Sequence, residues 1–138
     1  MVTALDSSVL LDVLTNDQDH GHASLQALDA ARGLGRLVVC PVVWAEVGAF
    51  FDETDRIRLA LHAAGIAFDP FDETSASLAA HHWRRYRRQG GQRTRVIADF
   101  LIAAHAETRA QALLTRDRGF YRRYFETLRV VEPQRSAS

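Results

Sequence analysis

Short apolar runs alternate along this chain with longer segments of helical periodicity, and that alternation confines it to few folds. Residues 2–5, 37–40, 112–115 and 128–131 read as short buried strands, with 66–68 as a further candidate. Between them, helices are expected at 9–14, 22–31, 42–51, 54–64, 74–88, 94–109 and 117–125. Ser7 and Ser8 are residue types that cap a helix start, and Gly33, Gly35 and Gly65 are stop signals. Pro41 can open a helix, because its missing N–H costs nothing in the first turn. Strands alternating with helices predict an α/β fold: three layers, with a mostly parallel sheet of four to five strands covered on both faces. The 138 residues, 47% of them hydrophobic, suit one packed domain. It is expected over 1–132, with 133–138 as a polar tail.

In open parallel sheets, ligands bind beyond the carboxyl ends of the strands, where the strand order reverses. Asp6 ends the first strand and Asp117 lies just past the 112–115 strand. If those strands are neighbours, both carboxylates meet in one crevice. Asp99 shares a helix face with Ile102, Ala103 and Ala106. With Thr94 as cap, it would lie beyond the first turn, too far along to be a capping acid. Glu46 has Val42, Val43, Ala49 and Phe50 as its helical neighbours, so it too is expected to point into an apolar stripe. A surface carboxylate needs no special account, and most of the other acids fit that description. These four sit where burial and mutual repulsion are costly, and a hard divalent cation would relieve both.

Four carboxylates suit Mg²⁺, which takes oxygen ligands and keeps several waters, and Mn²⁺ is the alternative. Two such ions can stabilise both the attacking and the leaving oxygen of a phosphoryl displacement. Zinc is disfavoured: Cys40 is the lone cysteine, His81 and His82 are adjacent and face different ways, and His105 falls in an apolar helix as a core residue. The expected chemistry is metal-dependent phosphodiester cleavage.

The net charge is zero but unevenly spread. Residues 1–73 carry four Arg against twelve acids, a balance of −8; residues 74–138 carry thirteen Arg against five, a balance of +8. There is no lysine. A basic half is the footprint of a polyanion binder. Arg93, Arg116 and Arg118 are the candidate RNA contacts; pairing of the arginines with acids of the first half is the competing reading. Phe120, Tyr124, Trp44 and Trp83 are assigned to the core rather than to base stacking. The start of the chain lacks the features of a signal peptide, and no apolar run approaches the ~20 residues of a membrane span, so a cytoplasmic protein without membrane contact is expected.

At this point four motifs carry a resemblance: Asp6-Ser7-Ser8-Val9-Leu10-Leu11, Val43-Trp44-Ala45-Glu46-Val47, Ala98-Asp99-Phe100-Leu101-Ile102-Ala103-Ala104 and Leu114-Thr115-Arg116-Asp117-Arg118-Gly119-Phe120. Their order and spacing resemble those of PIN-domain ribonucleases, and in total length the chain resembles the VapC toxins of VapBC pairs. The resemblance implies that Asp6 and Asp99 are direct metal ligands, that Glu46 and Asp117 complete the catalytic pocket, and that Ser8 and Thr115 support it. It further implies Mg²⁺-dependent cleavage of RNA, with transfer or ribosomal RNA as candidate targets, restraint by a VapB-like antitoxin, and a homodimer. The helices over 42–64 are where an antitoxin groove is sought. Two alternatives stay open: a PIN ribonuclease of RNA maturation or decay, and a non-catalytic acidic pocket such as a phospho-receiver. The receiver reading is weakened by the lack of a lysine.

Overall fold

The structure is a computed structural model, and it describes residues 1–91 and 97–134. The chain begins with β1 (Val2–Leu5), α1 (Ser7–Leu14), α2 (Gly21–Leu34), β2 (Arg36–Val39), α3 (Pro41–Gly48) and α4 (Thr54–Ala63). There follow β3 (Ile66–Phe68), α5 (Glu73–Arg88), α6 (Ile97–Arg109), β4 (Ala112–Leu114), α7 (Arg118–Tyr124) and β5 (Val130–Val131). The strands form one sheet in the order β3-β2-β1-β4-β5, and every pairing is parallel. The expected α/β fold is therefore present with all five strands.

The order fixes where a ligand can bind. From β1 the chain steps outward to β2 and β3, then crosses back to β4 and β5 on the other side. The crevice lies between the carboxyl ends of β1 and β4, whose register pairs Leu5 with Leu114.

Local chemistry explains the boundaries. Asp6, not Ser7 or Ser8, caps α1, because its carboxylate reaches the Ser7 N–H. Helix α2 runs through Gly33 and stops at Gly35. A Cβ at Gly35 would lie 1.9 Å from the Met1 carbonyl oxygen, and φ is 152°, so only glycine fits that turn into β2. Pro41 opens α3 as expected. Asp72 caps α5 by accepting from the Ser75 N–H at 2.7 Å.

The core fills both sides of the sheet. Phe100 and Phe120 meet edge-on at 5.6 Å between ring centroids, and Tyr86, Tyr124 and Phe125 close around them. The aromatic residues of α7 are packing residues, as their helical spacing suggests. Trp83 packs against Phe100, and Trp44 against Phe68. Pro133, the first residue assigned to the tail, is buried. Among the described residues, no helix is long and apolar enough to cross a membrane.

Candidate active site

Asp6 sits one residue past β1, and its N–H donates to the Leu114 carbonyl of β4 at 3.0 Å. That bond continues the ladder beyond the strand end and seats the side chain in the crevice. The carboxylate is 8% exposed. Its Oδ1 accepts from the Ser7 N–H at 2.8 Å, and its Oδ2 from the Thr115 hydroxyl at 2.6 Å. Thr115 is fully buried, and its oxygen in turn accepts from the Asp117 N–H at 3.0 Å. One hydroxyl thus joins the acid of β1 to the loop of the acid beyond β4.

Ser7 supplies a second joint. Its N–H holds Asp6, while its hydroxyl donates to Glu46 Oε1 at 2.6 Å. Sequence reasoning singled out Ser8 and missed Ser7, since nothing local shows that α3 will lie against α1. Ser8 Oγ accepts a long 3.4 Å contact from the Arg116 N–H.

The electrostatics follow from this gathering. Burial pushes the Asp6 carboxyl above its ordinary range, the Thr115 and Ser7 hydrogen bonds pull it back, and the charges of Glu46 and Asp99 push it up again. Those two acids, on α3 and α6, are therefore close enough to act on Asp6. The crevice also reaches the end of β2. Burial raises the Cys40 thiol to about 11, and the Asp6 charge adds to that rise.

One expectation about the acids is corrected. Glu46 is exposed and does not point into an apolar stripe: Val43 and Val47 are buried while Ala49 and Phe50 face solvent. The buried stripe of α3 runs through positions 43 and 47, and Glu46 lies off it, at the rim of the crevice. Asp99 is half-buried on α6. Thr94, the expected cap, lies outside the described residues. Ile102, Ala103 and Ala106 are buried, as the helix face predicts. Asp117 is half-buried at the cap position of α7, with φ −96° and ψ 48°.

The arginines divide. Arg116 Nε donates to Asp12 Oδ2 at 2.6 Å and its Nη2 to Oδ1 at 3.0 Å, and the Ser24 hydroxyl also donates to the buried Asp12. Arg116 therefore ties the loop after β4 to α1 and α2. Arg118 lies 3.8 Å from Glu132 at the surface. Arg93 lies outside the described residues. His105 is a core histidine, bonded to Asp69 at 2.7 Å.

The donor set is chemically right for a hard cation. Asp6 and the two carboxylates that act on it, with hydroxyl oxygens beside it, form the charge excess that Mg²⁺ or Mn²⁺ would neutralise. Among the described residues, no group of three or more His, Cys, Asp or Glu side chains stands at spacing to grip an ion. An ion here would be held by one or two carboxylates and by water, which is how Mg²⁺ usually binds.

The PIN domain family matches residues 3–126. The chain belongs to that family. No curated protein sequence matches the chain. Among solved structures, it is similar to VapBC2 from Rickettsia felis bound to promoter DNA, at 15% identity and a TM-score of 0.75, covering 97% of this chain and 100% of that one. VapBC-1 from nontypeable Haemophilus influenzae is 20% identical, with a TM-score of 0.71 and coverage of 96% and 98%. A toxin–antitoxin complex from Klebsiella pneumoniae is 19% identical, with a TM-score of 0.70 and coverage of 96% and 98%. At these identities the likeness shows a shared fold. This PIN domain places its acids beyond the carboxyl edge of the parallel sheet.

Proposed function

We propose that this PIN domain is a metal-dependent endoribonuclease and the toxin of a toxin–antitoxin pair. The observation that carries the reading is the environment of Asp6: a buried carboxylate, held from both sides by Ser7 and Thr115, in the field of Glu46 and Asp99. Here the charges that act on it are negative.

Asp6 and Asp99 would hold Mg²⁺ or Mn²⁺. When bound, the ion would supply an acidified water and neutralise charge on the phosphate. Thr115 and Ser7 keep the Asp6 oxygens aimed into the crevice. Glu46, at the exposed rim and bonded through Ser7, can accept a proton from an entering water. Asp117 completes the acidic wall. Arg116 and Arg118 flank Asp117 and offer charge to RNA phosphates; Arg116 does so only with N–H groups not committed to Asp12.

The toxin reading rests on the kind of protein that shares this fold: structures of VapBC and other toxin–antitoxin complexes match along nearly the whole chain. Phe50, just past α3, Leu59 of α4 and Phe68 of β3 are exposed. A VapB-like antitoxin would cover them. The protein would work in the cytoplasm, as a homodimer, on transfer or ribosomal RNA.

The test is sequencing of RNA ends after brief expression of the protein and of Asp99→Asn. New 5′ ends should appear with the parent and fall by roughly 100-fold or more in the variant. Equal cleavage by both would end the proposal.

A further inference from the structure

We infer that the cleft between the C-terminal half of α5 and α7 is a phosphate track that holds the RNA strand outside the acidic crevice. The choice of RNA rests on the nuclease reading; the site itself rests on separate observations. Arg84, Arg85, Arg87 and Arg88 on α5 and Arg122 and Arg123 on α7 are all exposed. None of the six forms an ion pair among the described residues, whereas Arg109 and Arg116 are tied to carboxylates elsewhere.

Helix dipoles do not account for the excess. The two helices end near one another, and each end carries about half a negative charge. Six positive charges outnumber those two half-charges, and two of the six, Arg85 and Arg123, line the cleft between the helices. A cleft of about 140 Å³ opens between the helices, with Arg85 and Gln89 on one wall and Arg123 and Thr127 on the other. Glu126 also lines it. The walls thus present two guanidinium groups, an amide and a hydroxyl, which suits a phosphodiester.

The aromatic core sets the track against the crevice. Tyr86, between Arg85 and Arg87, packs on Phe100 at 5.3 Å and on Tyr124 at 5.0 Å. Phe100 follows Asp99 directly, and Tyr124 ends the helix that Asp117 caps. The arginines and the acids are therefore carried by the same packed unit. On this reading the track would take phosphates beyond the one that enters the crevice, on the same strand.

The test is fluorescence anisotropy of an unstructured oligoribonucleotide in buffer containing EDTA, over a salt series. Arg85→Ala/Arg123→Ala should weaken binding and lower the log–log salt slope by about 1.4, since each single-strand phosphate contact contributes about 0.7. Arg56→Ala/Arg58→Ala on α4 removes the same charge far from the track and should leave both quantities at the parental values. Circular dichroism should be the same for all three proteins. No RNA binding by the parent, an unchanged slope in the α5–α7 variant, or an equal loss in the α4 variant would each overturn the inference. A parent that binds through the track yet cuts nothing with Mg²⁺ or Mn²⁺ would sink the nuclease reading and leave the track standing.

Discussion

Thr115 shows how much one side chain can decide. Its hydroxyl donates to Asp6 and accepts from the Asp117 N–H, with no exposure to water. Thr115→Val keeps the shape and removes both bonds. Chemical denaturation should show a loss of about 1–3 kcal/mol, and Thr115→Ser should recover most of it. Asp6→Asn should act the other way in metal-free buffer. The Asp6 carboxyl titrates above its unfolded value, so its ionised form destabilises the fold; that cost is absent at low pH and appears as pH rises through the folded value. The variant should be the more stable protein at pH 7, and its advantage should vanish below about pH 3.8, where Asp6 is protonated in both states. Stability curves for the two proteins across that range check it. Cys40 is 2% exposed and raised to about 11, so a thiol reagent at pH 8 should fail on the native protein and react fully in denaturant.

Between elements, two ionic clamps bind segments distant in sequence. Arg109 and His105 of α6 converge on Asp69, just beyond β3, and Arg109 also reaches Asp72, the cap of α5. The Arg109 hydrogen bond holds the Asp69 carboxyl below its usual range, and burial holds the His105 imidazole below its own. The Asp69 shift favours the fold at neutral pH, whereas the His105 shift costs stability in acid, where the imidazole would be charged. As pH falls below about 6.5 the unfolded chain takes up the histidine proton first, and below about 3.8 the aspartate proton. The clamp should therefore lose strength on acidification, and Asp69→Asn should flatten the acid limb of the stability curve. The second clamp, Arg116 on buried Asp12, fixes the loop that carries Thr115 and Asp117. Asp12→Ala should cost roughly 2 kcal/mol, less than a fully buried pair because Arg116 is partly exposed.

At the scale of the molecule, the sheet order and the charge of the crevice act together. Burial first, and then the charges of Glu46 and Asp99, make ionised Asp6 costly, a cost that a bound cation can relieve. An ion that binds the folded state alone stabilises it by mass action. Added Mg²⁺ or Mn²⁺ should raise the melting temperature of the parent and should raise it far less in Asp6→Asn or Asp99→Asn. A metal response that is the same in all three proteins would remove these carboxylates from the cation site.

The parallel α/β architecture was legible because period and punctuation are local: four strands, the start of α3 and the apolar side of α6 all follow from neighbouring residues. The places of Asp6 and Asp117, just past β1 and β4, were legible for the same reason. Glu46 was misplaced because residues at i±3 and i±4 show which side chains share a face, while burial depends on which face meets the sheet. Ser7 was read only as a helix cap and Asp12 was passed over, because their partners, Glu46 and Arg116, lie 39 and 104 residues away from them. Contacts at such separations arise only when the crossover from β1 through β2 and β3 to β4 closes. The sequence by itself determined which carboxylates the chain carries to the carboxyl edge of its sheet. Only the tertiary structure decided which hydroxyls hold them there, because a hydrogen bond needs position to within a few tenths of an ångström and side-chain periodicity supplies direction alone.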